Sequence, residues 1–159
     1  MVDVVDRQTR SRMMAGIRGV DTRPERQLRS ALHARGFRFR LHDRRLPGKP
    51  DIVLPRWSVA ILVHGCFWHR HPGCPKATTP ASNVEFWHEK FSANVARDLA
   101  KAEALRAGGW RVLTVWECAI GRKIPKDVIE DVVAFITSST PEECCVMEIG
   151  AVRTRRWTG

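Results

Sequence analysis

The sequence lacks the features that would place a protein in or across a membrane. No apolar run approaches the roughly 20 residues that a membrane-spanning helix needs. The N-terminal residues are charged and have no apolar core (MVDVVDRQTR), which is unlike a secretory signal peptide. No internal repeat is apparent either. We therefore expect a cytoplasmic protein without a membrane partner, and a chain of 159 residues is of the length of one folded domain.

Acidic residues are scarce relative to basic ones. The chain has 17 Asp and Glu against 27 Lys and Arg, which gives a net charge of +10 and a pI near 10.3. Such a surplus favours a polyanionic partner, and contacts to phosphate would make that binding sensitive to salt. Many basic proteins bind no nucleic acid, so charge alone does not decide the point. The 43% hydrophobic content is typical of a packed globular chain.

Cysteine is sparse and odd in number. The five cysteines occur in a chain without an apparent export signal, where thiols are more often metal ligands or free than paired in disulfides. Cys66, Cys74 and Cys118 lie close in sequence to His residues or to a Trp-Glu pair. These three are the candidates for metal ligation.

Hydrophobic periodicity predicts an alternation of helices and strands. Helices are expected over about residues 8–19, 23–35, 84–107 and 126–136, and strands over 37–41, 51–54, 58–63 and 111–116. A tight turn at Pro55-Arg56 joins the second and third strands. This order predicts an α/β sandwich around one small mixed sheet.

Local signals define several of these elements. Thr22 and Glu25 form a capping box with Pro24 in the first helical turn, and Gly36 should end that helix. The strand over 58–63 is apolar on both faces and is therefore expected at the centre of the sheet. The long helix has an apolar stripe at three- and four-residue spacing, formed by Trp87, Phe91, Val95, Leu99 and Ala102.

The domain is expected to cover residues 1–137. Residues 138–159, which include Cys144 and Cys145, show no clear pattern and are expected to form a partly disordered tail. Residues 64–82 are rich in His, Cys, Gly and Pro, and we expect no regular structure there.

Asp51 follows a Pro-Gly-Lys-Pro turn at the start of a strand. A carboxylate in this position is suited to Mg²⁺, which prefers one or two carboxylates, carbonyl oxygens, water and substrate phosphate. The alternative is an aspartate that caps the turn, which is common after Pro-rich loops. Taken alone, the residue favours the turn cap.

The segment His64–Cys74 has the spacing of a zinc loop. Cys66, His71 and Cys74 follow the pattern Cys-x4-His-x2-Cys, and Cys118 can complete four ligands if its strand ends beside this loop. The alternative is that the cysteines are buried as small hydrophobic residues, but three candidate ligands within nine residues favour zinc. Spacing alone does not decide whether His69 or His71 is the ligand.

Large aromatic residues accompany the zinc loop. Phe67 and Trp68 are candidates for stacking on bases or wedging between base pairs. A small aromatic core over the metal explains them equally well. Trp87 has the same two interpretations, and its place on the apolar stripe favours the core.

These motifs together resemble the very-short-patch repair (Vsr) endonucleases. The resemblance runs in consistent order from about residue 2 to 120. It begins with N-terminal matches at Thr9-Arg10-Ser11, Met14, Ile17 and Asp21-Thr22. It is carried further by Pro-Gly-Lys-Pro-Asp51, His64-Gly-Cys-Phe-Trp-His69, Glu85-Phe-Trp-x-Glu-Lys90, Gly109-Trp-Arg-Val-Leu113 and Val115-Trp-Glu-Cys118.

The resemblance implies a restriction-endonuclease-like, PD-(D/E)xK-type fold and a Mg²⁺-dependent nick 5′ of the thymine in a T:G mismatch. Such mismatches arise from deamination of 5-methylcytosine. The implied partner is double-stranded DNA with a T:G mismatch, cut by a monomeric enzyme that works with other repair proteins and is nucleoid-associated when bound.

The resemblance also implies roles for individual residues. Asp51 and the backbone carbonyl of Val63 resemble the Mg²⁺ ligands, and Cys66, His71, Cys74 and Cys118 resemble the structural zinc ligands. His64, His69 and Glu25 resemble catalytic residues, with His69 as the activator of water. Phe67, Trp68 and Trp87 resemble the intercalating aromatics, and Met14 and Ile17 resemble the DNA-contacting residues of an N-terminal arm over 1–20.

Three departures and two rival functions accompany this interpretation. Val63 replaces an expected polar residue, Pro72-Gly73 makes the zinc loop one residue longer, and the C-terminal segment matches nothing in the pattern. The capping box explains Glu25 without catalysis. The rivals are a zinc-stabilised DNA-binding module without catalysis and a restriction-type nuclease that cuts both strands or ignores mismatches.

Overall fold

The computed structural model describes residues 6–15, 19–138, 146–151 and 154–157. Within these ranges the chain forms five α-helices and six β-strands. In chain order they are α1 (Arg7–Ala15), α2 (Arg23–Ala34), β1 (Arg40–Leu41), β2 (Ile52–Leu54), β3 (Val59–His64), α3 (Val84–Ala107), β4 (Arg111–Trp116), α4 (Glu117–Ile120), α5 (Lys126–Thr137), β5 (Val146–Ile149) and β6 (Thr154–Trp157). None of the described helices is both long enough and apolar enough to cross a membrane.

The six strands form one mixed sheet in the order of the sequence. Strands β1, β2 and β3 are antiparallel neighbours, β3, β4 and β5 are parallel, and β6 is antiparallel to β5. The parallel pair β3–β4 requires a crossover, which α3 provides. Its register places His64 opposite Trp116, so both strands end at the same edge of the sheet.

The sheet is covered on both faces, as a strand that is apolar on both sides requires. Along β3, Val59 and Ile61 join a larger core, while Ala60 and Leu62 join a smaller one. The larger core packs against α2, α4 and α5 through Leu28, Leu32, Ala119, Ile120, Ile129, Val132 and Ile136. The smaller core includes Leu105 of α3. The expected α/β sandwich around a mixed sheet is confirmed.

Side-chain caps fix two of the helix ends. The Thr22 hydroxyl oxygen accepts a hydrogen bond from the Glu25 N–H at 3.4 Å, and a Glu25 carboxylate oxygen accepts one from the Asp21 N–H at 3.0 Å. The Thr22 cap is therefore confirmed, and the reciprocal bond to Glu25 comes from the N–H of Asp21, one residue before the cap. At the other end of the domain, Arg111 donates to the carbonyl oxygens of Phe135 and Ile136, which have no helical partner at the end of α5.

Several elements differ from the sequence-based predictions. Helix α1 spans Arg7–Ala15 of the described residues, and Gly19, its expected last residue, is not helical. Of the strand expected over 37–41, only β1 pairs with a neighbour. The short helix α4 was not predicted. Strands β5 and β6 lie within residues 138–159 and join the sheet, which corrects the expectation of a tail for their described residues. Cys144, Cys145 and Ile17 lie outside the described residues.

The predicted stripe of α3 is buried only in part. Trp87 and Phe91 are each 6% exposed, but Leu99 is 67% exposed. A four-residue step advances the side-chain direction by about 40° on a helix of 3.6 residues per turn, so three steps from Trp87 rotate Leu99 by about 120°. Leu105 replaces Leu99 as the buried residue at that end of the helix.

Candidate active site and metal centre

A cleft of about 790 Å³ opens beside the carboxyl end of β3. It is bounded by the start of α2, the turn before Asp51, the end of β3 and the middle of α3. Ionisable side chains from all of these elements line it, namely Glu25, His42, Lys49, Asp51, His64, His69, Asp98, Lys101 and Glu117. The fold thus gathers titratable groups from residues far apart in sequence into one concave site.

Asp51 lies immediately before β2 and faces the neighbouring strand. One of its carboxylate oxygens accepts a hydrogen bond from the Val63 N–H at 2.8 Å. Burial raises the pKa of Asp51 to about 6, and the nearby Glu25 charge also raises it, while the Val63 N–H and the charges of His42 and His69 oppose the rise. A buried carboxylate of this kind favours a bound cation. The Val63 backbone lies beside it, as a shared cation site requires.

His64 ends β3 and is 9% exposed. Burial lowers the pKa of His64 to about 3, with a further lowering from the charge of His69, so the imidazole is neutral at physiological pH. Its ring stacks on His69 with the centroids 3.9 Å apart and the planes 5° from parallel. The two predicted catalytic histidines therefore form one pair.

His69 is held by a carboxylate that the sequence analysis missed. Its Nδ1 lies 2.6 Å from a carboxylate oxygen of Asp98, which is half-buried on α3. Burial of Asp98 works against ionisation, but the hydrogen bond from His69 and the charges of His64, His69 and Lys101 lower the pKa of Asp98 overall. An ionised carboxylate only accepts, so Nδ1 is the donor and Nε2 is left to accept a proton.

Glu25 belongs both to the capping box and to the cleft. Its side chain is 4% exposed, and one carboxylate oxygen lies 3.6 Å from Nε2 of His42. Its negative charge contributes to the raised pKa of Asp51. Glu25 therefore takes part in capping α2 and also lies close enough to Asp51 for its charge to act on that carboxyl.

His42 is a second residue that the sequence analysis missed. Its backbone φ is +47°, and its ring lies 3.7 Å from Asp51 through Nδ1 and 3.7 Å from Asp21 through Nε2. Together with Glu25, three carboxylates surround this imidazole. No motif spacing identifies it, because the turn over residues 42–50 alone brings His42 back beside Asp51.

Cys66, His71, Cys74 and Cys118 form a candidate four-residue metal centre. Their ligand atoms lie within 4.8 Å of one another. Nδ1 of His71 is 3.6 Å from Cys66 Sγ and 3.4 Å from Cys118 Sγ. Tetrahedral zinc, with Zn–S of about 2.3 Å and Zn–N of about 2.0 Å, spaces sulfur and nitrogen ligands by about 3.5 Å. The donor set and its spacing fit zinc, with His71 rather than His69 in the cluster.

Burial raises the pKa of the Cys66 thiol well above its usual range, and the neighbouring Cys118 thiol contributes to the rise. A thiolate at this position therefore requires a compensating cation, which a bound metal ion would supply. Strands β3 and β4 end side by side, and this brings Cys118 to the loop that carries Cys66, His71 and Cys74. The condition stated above for Cys118 to be the fourth ligand is therefore met.

The end of β5 closes this centre. The Ala151 N–H donates to Cys118 Sγ at 3.4 Å. A Cβ atom on Gly150 would lie 2.6 Å from Cε1 and 2.8 Å from Nε2 of His71, so the ring leaves room only for glycine. The His71 ring is also supported by Trp116, whose ring stacks on it with the centroids 4.3 Å apart. The position of the His71 ring is thus fixed by contacts from outside its own loop.

The aromatic residues next to the zinc loop pack on one another. Phe67 contacts Trp68, Trp87 and Phe91, with ring centroids 5.0 to 5.8 Å apart. Phe67 and Trp68 are half-buried, whereas Trp87 is almost fully buried. We call these four residues the aromatic cluster. Met14 is half-buried and lines the cleft.

Comparison with known proteins gives a consistent result. Residues 2–76 match the family model described as DNA mismatch endonuclease Vsr. The chain is 48% identical over 120 residues to the type II nicking enzyme V.XorIIP of Xanthomonas oryzae pv. oryzae, covering 76% of this chain and 88% of that protein. It is 47% identical over 120 residues to the DNA mismatch endonuclease Vsr of Escherichia coli, covering 76% of each chain. It is also 41% identical over 123 residues to the type II nicking enzyme V.NmeAIP of Neisseria meningitidis, covering 77% of this chain and 87% of that protein. The cleft and the candidate metal centre described above thus belong to a member of the Vsr family of DNA mismatch endonucleases.

Proposed function

We propose that this protein is a Mg²⁺-dependent endonuclease that nicks one DNA strand 5′ of the thymine in a T:G mismatch. Such mismatches follow deamination of 5-methylcytosine, so the nick would initiate very short patch repair. The observation that carries the proposal is the convergence of Asp51, His64 and the His69–Asp98 pair in one cleft. A restriction-endonuclease-like fold, action as a monomer and a cytoplasmic location, with nucleoid association when bound to DNA, are part of the same proposal.

Asp51 and the Val63 carbonyl would hold Mg²⁺. When bound, the ion would supply charge stabilisation at the scissile phosphate. The Val63 N–H already fixes one carboxylate oxygen of Asp51, which keeps the carboxylate oriented before any ion binds. Glu25, buried nearby, adds negative charge to this side of the cleft and would help to position the water at the site.

His69 would accept the proton of the attacking water. Asp98 accepts a hydrogen bond from the Nδ1–H of His69, which leaves Nε2 to take up the proton, and its charge would stabilise the imidazolium that forms after proton transfer. His64 is held neutral by burial, so it would act as a neutral N–H donor to a phosphate oxygen and not as a cation. The stacking of the two rings keeps both histidines on the same side of the cleft.

The four-residue metal centre would hold a structural zinc ion. Four protein ligands leave no open position for a water molecule or a substrate. Zinc bound to Cys66, His71, Cys74 and Cys118 would instead fix the loop that carries His69 and the aromatic pair.

The aromatic cluster would supply the contacts at the mismatch. Phe67 and Trp68 are half-buried, so a modest rearrangement would make them available for intercalation, whereas Trp87 would have to leave a buried position. Unstacking a base step costs a few kcal/mol and costs least at a mismatch, which would give selectivity. Met14 at the cleft, together with Ile17, would contact DNA from the N-terminal arm.

The test compares nicking of matched and T:G duplexes of the same sequence, with and without Mg²⁺. The wild-type protein is expected to nick one strand of the T:G duplex only when Mg²⁺ is added, and Asp51→Ala is expected to bind the duplex without nicking it. Mismatch binding without any cleavage in Mg²⁺ or Mn²⁺ would instead support a DNA-binding module. Cleavage of both strands, or of matched DNA, would support a general nuclease.

A further inference from the structure

Lys101 is a cationic residue of the cleft to which the proposed mechanism assigns no role. It lies on α3 one turn beyond Asp98, is half-buried, and lines the cleft together with Asp51, His64 and His69. Among the described residues no carboxylate lies within ion-pair distance of its ammonium group. The nearest acidic residue on its own helix face, Asp98, already accepts a hydrogen bond from His69.

The stem of Lys101 is held against the turn that leads to Asp51. A Cβ atom on Gly48 would lie 2.6 Å from Cγ and 2.7 Å from Cδ of Lys101, and Gly48 also has a φ of +69°. Only glycine fits this position without displacing the lysine. This packing restricts the Lys101 side chain before a ligand binds, so less conformational entropy would be lost on binding.

The charge of Lys101 reaches the catalytic groups. Its field contributes to the lowered pKa of His64 and to the lowered pKa of Asp98. Lys49 and Lys101 face four carboxylates among the described residues that line the cleft, namely Glu25, Asp51, Asp98 and Glu117. A phosphate entering such a site needs positive charge on the side of the histidines as well as at Asp51.

We propose that Lys101 is a further catalytic residue that binds a non-bridging oxygen of the scissile phosphate through its ammonium group. This inference rests on the proposed nicking activity, since it assigns a substrate contact in the same cleft. An ammonium group beside the buried, neutral His64 would offset the charge of the phosphate on the side of the histidines. Lys101 would thereby complement a cation held at Asp51 on the other side of the phosphate.

The inference is tested with Lys101→Gln and Lys101→Arg, and Lys126→Gln is the matched control because Lys126 is an exposed lysine on α5. Two experiments are made with each variant. The first measures kcat and KM for nicking of a T:G duplex in Mg²⁺. The second measures the salt dependence of binding to the same duplex without Mg²⁺, which does not depend on turnover.

Loss of one phosphate contact reduces the slope of log K against log salt by about one. We expect Lys101→Gln to show this reduced slope and to lower kcat about tenfold or more. Lys101→Arg should retain most of the wild-type slope and most of the wild-type kcat. Lys126→Gln should match the wild type in both quantities. A thermal melt of each variant verifies that it is folded. Wild-type slope and kcat in a folded Lys101→Gln variant would overturn the inference, and so would a reduced slope with unchanged kcat.

The same data separate this inference from the proposed function. If the wild-type protein does not nick the T:G duplex, the proposed function fails whatever the variants do. If it nicks the duplex and Lys101→Gln nicks equally well, the activity stands and the role of Lys101 fails.

Discussion

The pairing of His69 with Asp98 shows how a single contact sets the chemistry of the cleft. A histidine can accept a proton at either ring nitrogen, and only a fixed partner on one nitrogen commits the other to the substrate. Asp98 is that partner, at 2.6 Å from Nδ1. In the proposed mechanism Asp98 would act through His69 as a positioning residue, so its loss should affect the rate more than the binding of DNA.

Replacement of Asp98 by asparagine tests this positioning role. The asparagine amide can still accept a hydrogen bond but cannot stabilise an imidazolium at His69, so we expect kcat for nicking to fall by about 10- to 100-fold with little change in KM. Steady-state nicking of a T:G duplex over a range of pH measures the effect. Asp131→Asn, an exposed residue on α5, is the control. An Asp98→Asn variant with the kcat and pH profile of the wild type would contradict the role.

The buried carboxylate of Asp51 has a consequence for stability. Its pKa is raised in the folded state from 3.8 to about 6, so between these values the folded protein holds a proton that the unfolded chain releases. Stability from this group is therefore highest below the unfolded pKa and falls as pH rises through the folded pKa. At neutral pH the ionised carboxylate destabilises the protein when no cation is bound.

Asp51→Asn is therefore expected to be more stable than the wild type at neutral pH although it should not nick DNA. The shift in the pKa of Asp51 corresponds to about 1–3 kcal/mol in the free energy of unfolding. For a chain of this length, that gain would raise the melting temperature by a few degrees. Thermal melts without added Mg²⁺ at neutral pH and near pH 4 measure the difference, which should be much smaller at the lower pH. A variant that is less stable than the wild type at neutral pH would show that Asp51 is not destabilising there.

At the level of elements, the sequence predicts the strands and helices that bury continuous apolar stripes. Strand β4 and helices α3 and α5 were predicted nearly to the residue, because each is long enough for its periodicity to be visible. Strand β5 was missed because four residues, Val146–Ile149, are too few to establish alternation, although the structure buries Met147 and Ile149 on one face. Helix α4 is a single turn and has no periodic signal.

The site was predictable where residues are close in sequence and not where the fold joins distant segments. The spacing of Cys66, His71 and Cys74 indicated a metal loop, and the parallel pairing of β3 with β4 then brought Cys118 to it. Nothing in α3 distinguishes Asp98 from other charged residues of an amphipathic helix. Its partner, His69, lies 29 residues away in an irregular loop.

The contact between Gly150 and His71 gives a prediction for β5. Gly150→Ala introduces a methyl group that would lie 2.6 Å from the imidazole, so the ring must move away from its stack on Trp116. Displacing a metal-binding histidine in this way typically weakens metal binding by about 10- to 100-fold. We therefore expect zinc to pass from this variant to a colorimetric chelator faster than from the wild type.

The matched control is Gly19→Ala, because a Cβ atom at Gly19 has no neighbour within 4 Å in the described part of the chain. Zinc content of both purified variants by mass spectrometry and the rate of transfer to the chelator are the two measurements. If Gly150→Ala keeps its zinc as long as the control does, the end of β5 does not support His71.

On the scale of the whole molecule, the C-terminal strands connect the hydrophobic core to the metal centre. Met147 and Ile149 belong to the larger core, and Ala151 donates to Cys118 directly after β5. The sheet therefore does not end at β4. A chain without β5 would leave one edge of β4 unpaired and one face of the core exposed.

This arrangement predicts different effects of two truncations. A chain that ends at Ser138 loses β5, β6 and the contacts to His71 and Cys118, whereas a chain that ends at Ala151 keeps β5 and those contacts. Burial of each large apolar side chain contributes about 1.5–3 kcal/mol, and a domain of this size has only about 5–15 kcal/mol in total. Loss of Met147 and Ile149 together with the unpaired edge of β4 is therefore expected to abolish cooperative unfolding in the shorter chain. The longer chain should melt cooperatively at a reduced temperature and retain one zinc ion per molecule.

Circular dichroism melts and zinc analysis of both chains test this, and a shorter chain that melts cooperatively with a full complement of zinc would show that the domain is complete at residue 138.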